Sequence, residues 1–118
     1  MIDWNRVSAL RDEVGPSEFE PVLELFLDEI EGLVMLLSMD DPAKLARDLH
    51  FLKGSACNLG FDAFATLCDD YEARIGRGEL KNISLDEIVI CYSLTKQMFI
   101  RDLPRVTEDN QQGRADTA

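Results

Sequence analysis

Residues 41–60 read DPAKLARDLHFLKGSACNLG, and this stretch decides the fold. Asp41 followed by Pro42 predicts the start of a helix, because aspartate caps free N–H groups and proline suits the first helical position. Gly60 predicts its end, since glycine is common just past a helix C-terminus. Between these signals, apolar residues recur every three or four positions: Leu45, Leu49, Leu52, Ala56 and Leu59. This spacing predicts an amphipathic helix with one buried face.

Similar spacing on both sides of this stretch predicts four more helices, and no segment alternates as a strand would. The first helix is predicted at Trp4–Val14, where Asp3 caps it and Gly15-Pro16 stops it. The second is predicted from about Glu20 to Met39, and its apolar stripe is Leu23, Phe26, Leu27, Ile30, Leu33, Val34 and Leu37. The fourth helix is predicted after Gly60 and ends at Gly76-Arg77-Gly78, and its apolar stripe is Phe61, Phe64, Cys68, Tyr71 and Ile75. The fifth helix is predicted to start at the capping box of Ser84 and Glu87, and Pro104 ends or kinks it. Its apolar stripe is Leu85, Ile88, Tyr92, Thr95 and Phe99.

The start of the second helix is open between two patterns. Ser17 and Glu20 form a capping box, but Pro21 would then lie just past the first turn. Glu20 as the cap, with Pro21 at the first helical position, is the cleaner geometry.

The pattern as a whole predicts an all-α protein. Four long helices with short connections favour an antiparallel up-down four-helix bundle, with the short N-terminal helix covering one end. We expect residues 1–106 to form this single domain. Residues 107–118 are polar and have no apolar face, so we expect a disordered C-terminal tail.

The charge of the chain limits which classes of partner it can bind. Its formal net charge of −11 at 118 residues disfavours nucleic acids and anionic membranes, which would repel it. No apolar run approaches the roughly 18 residues needed to cross a bilayer, and the N-terminal residues do not form a secretion signal. We therefore expect a cytoplasmic protein. We also expect it to act as a monomer.

Three cysteines, Cys57, Cys68 and Cys91, have neither the number nor the spacing of a zinc site. We expect reduced thiols that pack as small apolar side chains. No metal or other cofactor is expected in this chain.

His50 is the only histidine, so imidazole chemistry has one possible location. At about 100° per residue, His50 points about 140° away from the stripe of its helix, and therefore outward. Four other residues fall on or beside the same outer face: Arg47, Lys53, Gly54 and Cys57.

Two of these neighbours suit a phosphorylated imidazole. Lys53 is a cation one turn away that can donate hydrogen bonds to phosphoryl oxygens. Gly54 costs about 1 kcal/mol relative to alanine inside a helix, and it leaves room for a phosphoryl group and a partner. The alternatives are that His50 and Lys53 are ordinary surface residues and that Gly54 permits close helix packing.

The run from His50 through Lys53-Gly54-Ser55 to Leu59-Gly60 resembles the signature of histidine-containing phosphotransfer (HPt) domains. Leu67-Cys68 and Tyr71-Glu72 resemble the next helix of that family, and the resemblance covers about residues 3–105. Leu49 stands where the family often has a small residue, but its position on the buried stripe leaves the chemistry unaffected.

This resemblance implies a four-helix bundle and a role as a phosphorelay intermediate. His50 would accept a phosphoryl group from an aspartyl phosphate of one receiver domain and pass it to an aspartate of another. By position, Lys53 would stabilise the phosphoryl charge and Gly54 would provide clearance. The expected partners are response-regulator receiver domains or a hybrid histidine kinase, and Mg²⁺ is expected on the receiver. The chain lacks a nucleotide-binding loop, so we expect a phosphocarrier that is not itself a kinase or other enzyme.

Other interpretations stay open at this point. A non-catalytic helical adaptor could bind receiver or kinase domains without being phosphorylated. A thiol or hydrolytic enzyme using His50 and Cys57 would need an oxyanion site and an orienting group that the sequence does not show. Phe51 and Phe61 are candidates for an apolar docking patch near His50, and the alternative is that Phe51 packs on a neighbouring helix and Phe61 joins the core.

Overall fold

The computed structural model describes the backbone of residues 2–117 and the side chains of residues 2–104. This part of the chain is helical, without a β-strand, which confirms the predicted all-α class. The elements are α1 (Trp4–Val14), α2 (Pro16–Leu36), α3 (Pro42–Leu59), α4 (Asp62–Gly76), the single-turn 3-10 helix η1 (Leu80–Asn82) and α5 (Leu85–Thr117).

Helix α3 begins and ends where its sequence predicts. The side chain of Asp41 accepts a hydrogen bond from the Lys44 N–H, and Pro42 occupies the first helical position. At the other end Gly60 is left-handed, with φ of +76°, and the Phe61 N–H donates to the carbonyl of Ala56, as in a Schellman motif. All five residues of the apolar stripe are buried.

Helix α1 is tied to the far end of α3. The Asp3 side chain caps α1 by accepting from the Arg6 N–H, while the Asp3 backbone N–H donates to the Gly60 carbonyl over 2.7 Å. A Cβ atom at Gly60 would lie 2.5 Å from the Asp3 carbonyl oxygen, so this contact requires glycine for space as well as for its positive φ.

Helix α2 begins earlier than either predicted start. Pro16 takes the first helical position after Gly15, so neither Ser17 nor Glu20 is the cap, and Pro21 lies inside the helix. Pro21 removes one backbone hydrogen bond of the second turn. Phe19, in this first turn, is buried in the core, and its burial offsets that loss. The helix ends at Leu36, a little before the predicted Met39.

Helices α4 and α5 follow the predicted spacing. Helix α4 ends at Gly76, and the Ser84 side chain accepts from the Glu87 N–H at the start of α5. Helix α5 continues past Pro104, which lies inside it and does not end it. The side chains of residues 105–118 lie outside the described residues, so the disordered tail stays a prediction.

The helices pack around one apolar core. Among the described residues, α3 and α4 form the most extensive pair, and α2 with α3, α4 with α5, and α2 with α5 are also in contact. Helix α1 packs on α2 and α3. The core contains Val7, Leu10, Phe19, Leu23, Ile30, Val34, Leu45, Leu49, Leu52, Ala56, Leu59, Phe61, Phe64, Ala65, Cys68, Tyr71, Ile88, Tyr92 and Phe99.

Candidate functional site

His50 lies in the middle of α3, on the side that faces away from the core. Its side chain is 68% exposed, while Leu49 beside it is fully buried. The helical periodicity therefore placed His50 correctly on an outer face. Because α3 packs most closely against α4, side chains of α4 can reach the ring.

Glu72 of α4 holds the His50 ring. The ring Nδ1 lies 3.1 Å from Glu72 Oε2 and 3.3 Å from Glu72 Oε1. A carboxylate can only accept a hydrogen bond, so the hydrogen of a neutral imidazole is assigned to Nδ1. The lone pair is then on Nε2, which is the nucleophilic atom of this arrangement.

Lys53 joins the same group of side chains. Its Nζ lies 3.0 Å from Asp69 Oδ1 and 3.3 Å from Glu72 Oε1. These acceptors raise the pKa of Lys53 above its ordinary value, with the Asp69 hydrogen bond the largest cause and the Glu72 hydrogen bond the next. Lys53 is therefore a cation at neutral pH, one helical turn from His50.

Gly54 is not needed for packing within this chain. A Cβ atom added there would meet no other atom within 4 Å, outside its own backbone surroundings. Close packing of helices, one of the two explanations of Gly54, is therefore wrong. The open surface agrees with the other explanation, clearance for a group outside the chain.

The two phenylalanines suggested for a docking patch differ in exposure. Phe51 is 52% exposed beside His50, so it is available for contact. Phe61 is fully buried, so of the two interpretations of this residue the core position is confirmed and the surface patch is wrong. It follows the left-handed Gly60, and its ring packs against Tyr92 and Phe99 of α5.

Arg47 and Cys57 share the outer face of α3 but stand apart from the His50 contacts. Arg47 is exposed one turn before His50, and Cys57 is exposed two turns after it. The acidic partner of His50 is Glu72, and the ion pairs of Lys53 are with Glu72 and Asp69. This arrangement gives the hydrolase interpretation no support, because Cys57 is not part of it.

The site includes two residues to which the sequence assigned no role, Asp69 and Glu72. They lie three residues apart on α4, so both project toward α3 from one helical face. This spacing is a weak signal, since many exposed helices carry acidic pairs. Only the register between α3 and α4 shows which basic groups they meet.

Two features are absent from the described part of the chain. No group of three or more His, Cys, Asp or Glu side chains there is arranged to hold a metal ion. No helix there combines the length and the apolar character that crossing a membrane requires.

Comparisons with known proteins point to one family. A family model described as Hpt domain matches residues 21–98, which include α3 and α4. The phosphorelay protein LuxU from two strains of Vibrio vulnificus, YJ016 and CMCP6, is 24% identical over 106 residues, covering 85% of this chain and 92% of the relative. No solved structure matches the chain. Since the family model spans more than half of the sequence, the chain belongs to the Hpt domain family.

Proposed function

We propose that His50 is the residue through which this Hpt protein carries a phosphoryl group in a two-component phosphorelay. Histidine phosphotransfer is the function of the family to which the chain belongs. The observation that supports His50 is its setting: the sole histidine is exposed in the middle of a helix, with Nδ1 held by Glu72.

The proposed transfer needs no proton to move. The Nε2 lone pair attacks the phosphorus of a receiver aspartyl phosphate, an N–P bond forms, and the P–O bond breaks with its electron pair going to the aspartate carboxylate. The ring keeps its Nδ1 hydrogen and becomes a cation, which lies against the Glu72 carboxylate. The reverse steps donate the group to a second receiver.

Lys53 and Gly54 support this transfer in different ways. The Lys53 ammonium offsets the charge spread over the phosphoryl oxygens. Gly54, with open space where a side chain would begin, lets the phosphoryl group and the partner approach the ring. Exposed Phe51 supplies an apolar contact for the receiver.

We also propose that α2, α3, α4 and α5 form the antiparallel up-down bundle typical of this function. The contacts α2–α3, α3–α4, α4–α5 and α5–α2 form a closed cycle, as expected for four helices around one core. In this arrangement the α3–α4 seam carries His50, and the α2–α5 seam lies on the opposite side.

The partners follow from the chemistry. We propose that response-regulator receiver domains, or a hybrid histidine kinase that contains one, exchange the phosphoryl group with His50 in the cytoplasm. The receiver would supply the Mg²⁺ and most of the positive charge, so that this monomeric chain needs no cofactor of its own. The chain is then an intermediate of phosphotransfer rather than a kinase.

The test is phosphorylation from a receiver. A purified receiver domain is charged with acetyl phosphate, freed of the donor and mixed with wild type or His50→Gln, and acid-labile, base-stable phosphate is measured. Label is expected on the wild type and absent from His50→Gln, with both folded by circular dichroism. An unlabelled wild type, with a receiver that labels another Hpt protein, would overturn the proposal and favour the non-catalytic adaptor.

A further inference from the structure

Two carboxylates hold the Lys53 ammonium before any phosphoryl group arrives. Asp69 Oδ1 lies 3.0 Å and Glu72 Oε1 lies 3.3 Å from Lys53 Nζ. A phosphoryl group on His50 needs the same cation. Its oxygens would therefore compete with two acceptors that are already bound.

The two carboxylates differ in what else they contact. Glu72 also binds His50 Nδ1, so its charge stabilises the ring cation that forms when Nε2 is phosphorylated. Asp69 has its hydrogen bond and ion pair with Lys53, and its side chain is 64% exposed. Asp69 thus lacks the compensating contact with the ring, and its charge opposes the phosphorylated state.

We propose that Asp69 is a positioning residue that, through Lys53, sets how strongly His50 retains the phosphoryl group. This inference rests on the proposed role of His50. By holding Lys53 away from the phosphoryl oxygens, Asp69 makes the phosphorylated state less favourable and the onward transfer easier. A carrier that must both accept and donate benefits from such a balance.

The expected effect is moderate because the site is exposed. Charges several ångströms apart at a protein surface interact weakly, and salt reduces the interaction further. Removing the Asp69 charge should raise the equilibrium ratio of phospho-His50 to phospho-aspartate about threefold at low ionic strength. The increase should shrink as salt is added.

The matched control is Asp70, the next residue on α4. Asp70 pairs with Arg74 and is exposed, so Asp70→Asn removes the same charge without touching Lys53. Each variant is mixed with a receiver domain that labels the wild type, and the phospho-His50 to phospho-aspartate ratio at equilibrium is measured by ³¹P NMR. Asp69→Asn should raise the ratio, while Asp70→Asn should leave it close to the wild-type value.

The role of Lys53 is tested in a double-variant cycle. In a Lys53→Met background, the effect of Asp69→Asn on the ratio should fall to less than half. An equal ratio for Asp69→Asn and Asp70→Asn, or an undiminished effect without Lys53, would overturn the inference. Either result would leave His50 phosphorylated and the proposed function intact, whereas an unlabelled wild type would remove the proposed function itself.

Discussion

The inner and outer faces of α3 have different roles in the molecule. The inner face is a row of side chains that are at most 1% exposed: Leu45, Leu49, Leu52, Ala56 and Leu59. The outer face carries His50, Lys53 and Gly54, and it touches the rest of the chain through carboxylates of α4. The inner face stabilises the fold by removing apolar surface from water, and the outer face arranges charges that water still reaches. Substitutions on the inner face should therefore lower stability and leave phosphotransfer nearly unchanged. Substitutions on the outer face should change phosphotransfer and leave stability nearly unchanged.

The largest effect on stability should come from Leu52→Ala. Leu52 is fully buried, so the substitution loses apolar contacts and leaves a cavity, at a cost of about 2–5 kcal/mol in the free energy of unfolding. Urea unfolding followed by circular dichroism measures this cost. Leu94→Ala, at a position that is 55% exposed on α5, is the control and should cost less than about 1 kcal/mol. Similar costs for the two variants would contradict the assignment of the inner face, as would loss of phosphoryl capture by folded Leu52→Ala.

The next effect should come from Gly54→Glu on the outer face. The added carboxylate would crowd and repel the phosphoryl group, so we expect transfer to slow by about tenfold while the helical content is unchanged. Gly54→Ala is the control, because its Cβ meets nothing within 4 Å. It should transfer normally and stabilise the fold by about 1 kcal/mol through its helix propensity. Rapid-quench mixing with a phosphorylated receiver measures the rates of transfer. A wild-type rate for Gly54→Glu would contradict the explanation that Gly54 provides clearance for the phosphoryl group.

The smallest effect concerns thiols and leaves function unchanged. Cys57 lies on the outer face of α3, while Cys68 is buried, and burial raises the pKa of the Cys68 thiol from 9.0 to about 12. In a short iodoacetamide pulse at pH 8, Cys57 should react and Cys68 should not. Between pH 9 and 12 the unfolded chain loses the Cys68 proton before the folded chain does, so stability should fall as pH rises through this window. Equal labelling of Cys57 and Cys68 in the folded protein, measured by mass spectrometry, would contradict the buried position of Cys68.

Sequence alone predicted α3 well because its signals agree. The Asp41-Pro42 start, the apolar spacing and the Gly60 stop all describe one helix, and the structure has it at Pro42–Leu59. The outward direction of His50 followed from the same periodicity. Such predictions succeed where local chemistry and tertiary packing favour the same result.

The errors arose where packing between helices decides. Pro21 suggested a helix start, but burial of Phe19 extends α2 back to Pro16. The sequence left Phe61 open between a surface patch and the core, and the structure has it in the core. The contact of Glu72 with His50 spans 22 positions in sequence, and it depends on the register between two helices that periodicity does not contain.

Gly60 is a junction where the ends of three helices are fixed by one residue. Its left-handed backbone ends α3, its carbonyl accepts from the Asp3 N–H at the start of α1, and Phe61 directly after it is the N-cap residue of α4. An inserted residue here would shift all three ends together and change the register in which Glu72 meets His50. The connection between Gly76 and Ser84 has mostly exposed residues and joins only α4 to α5, so changes in chain length over evolution should accumulate there.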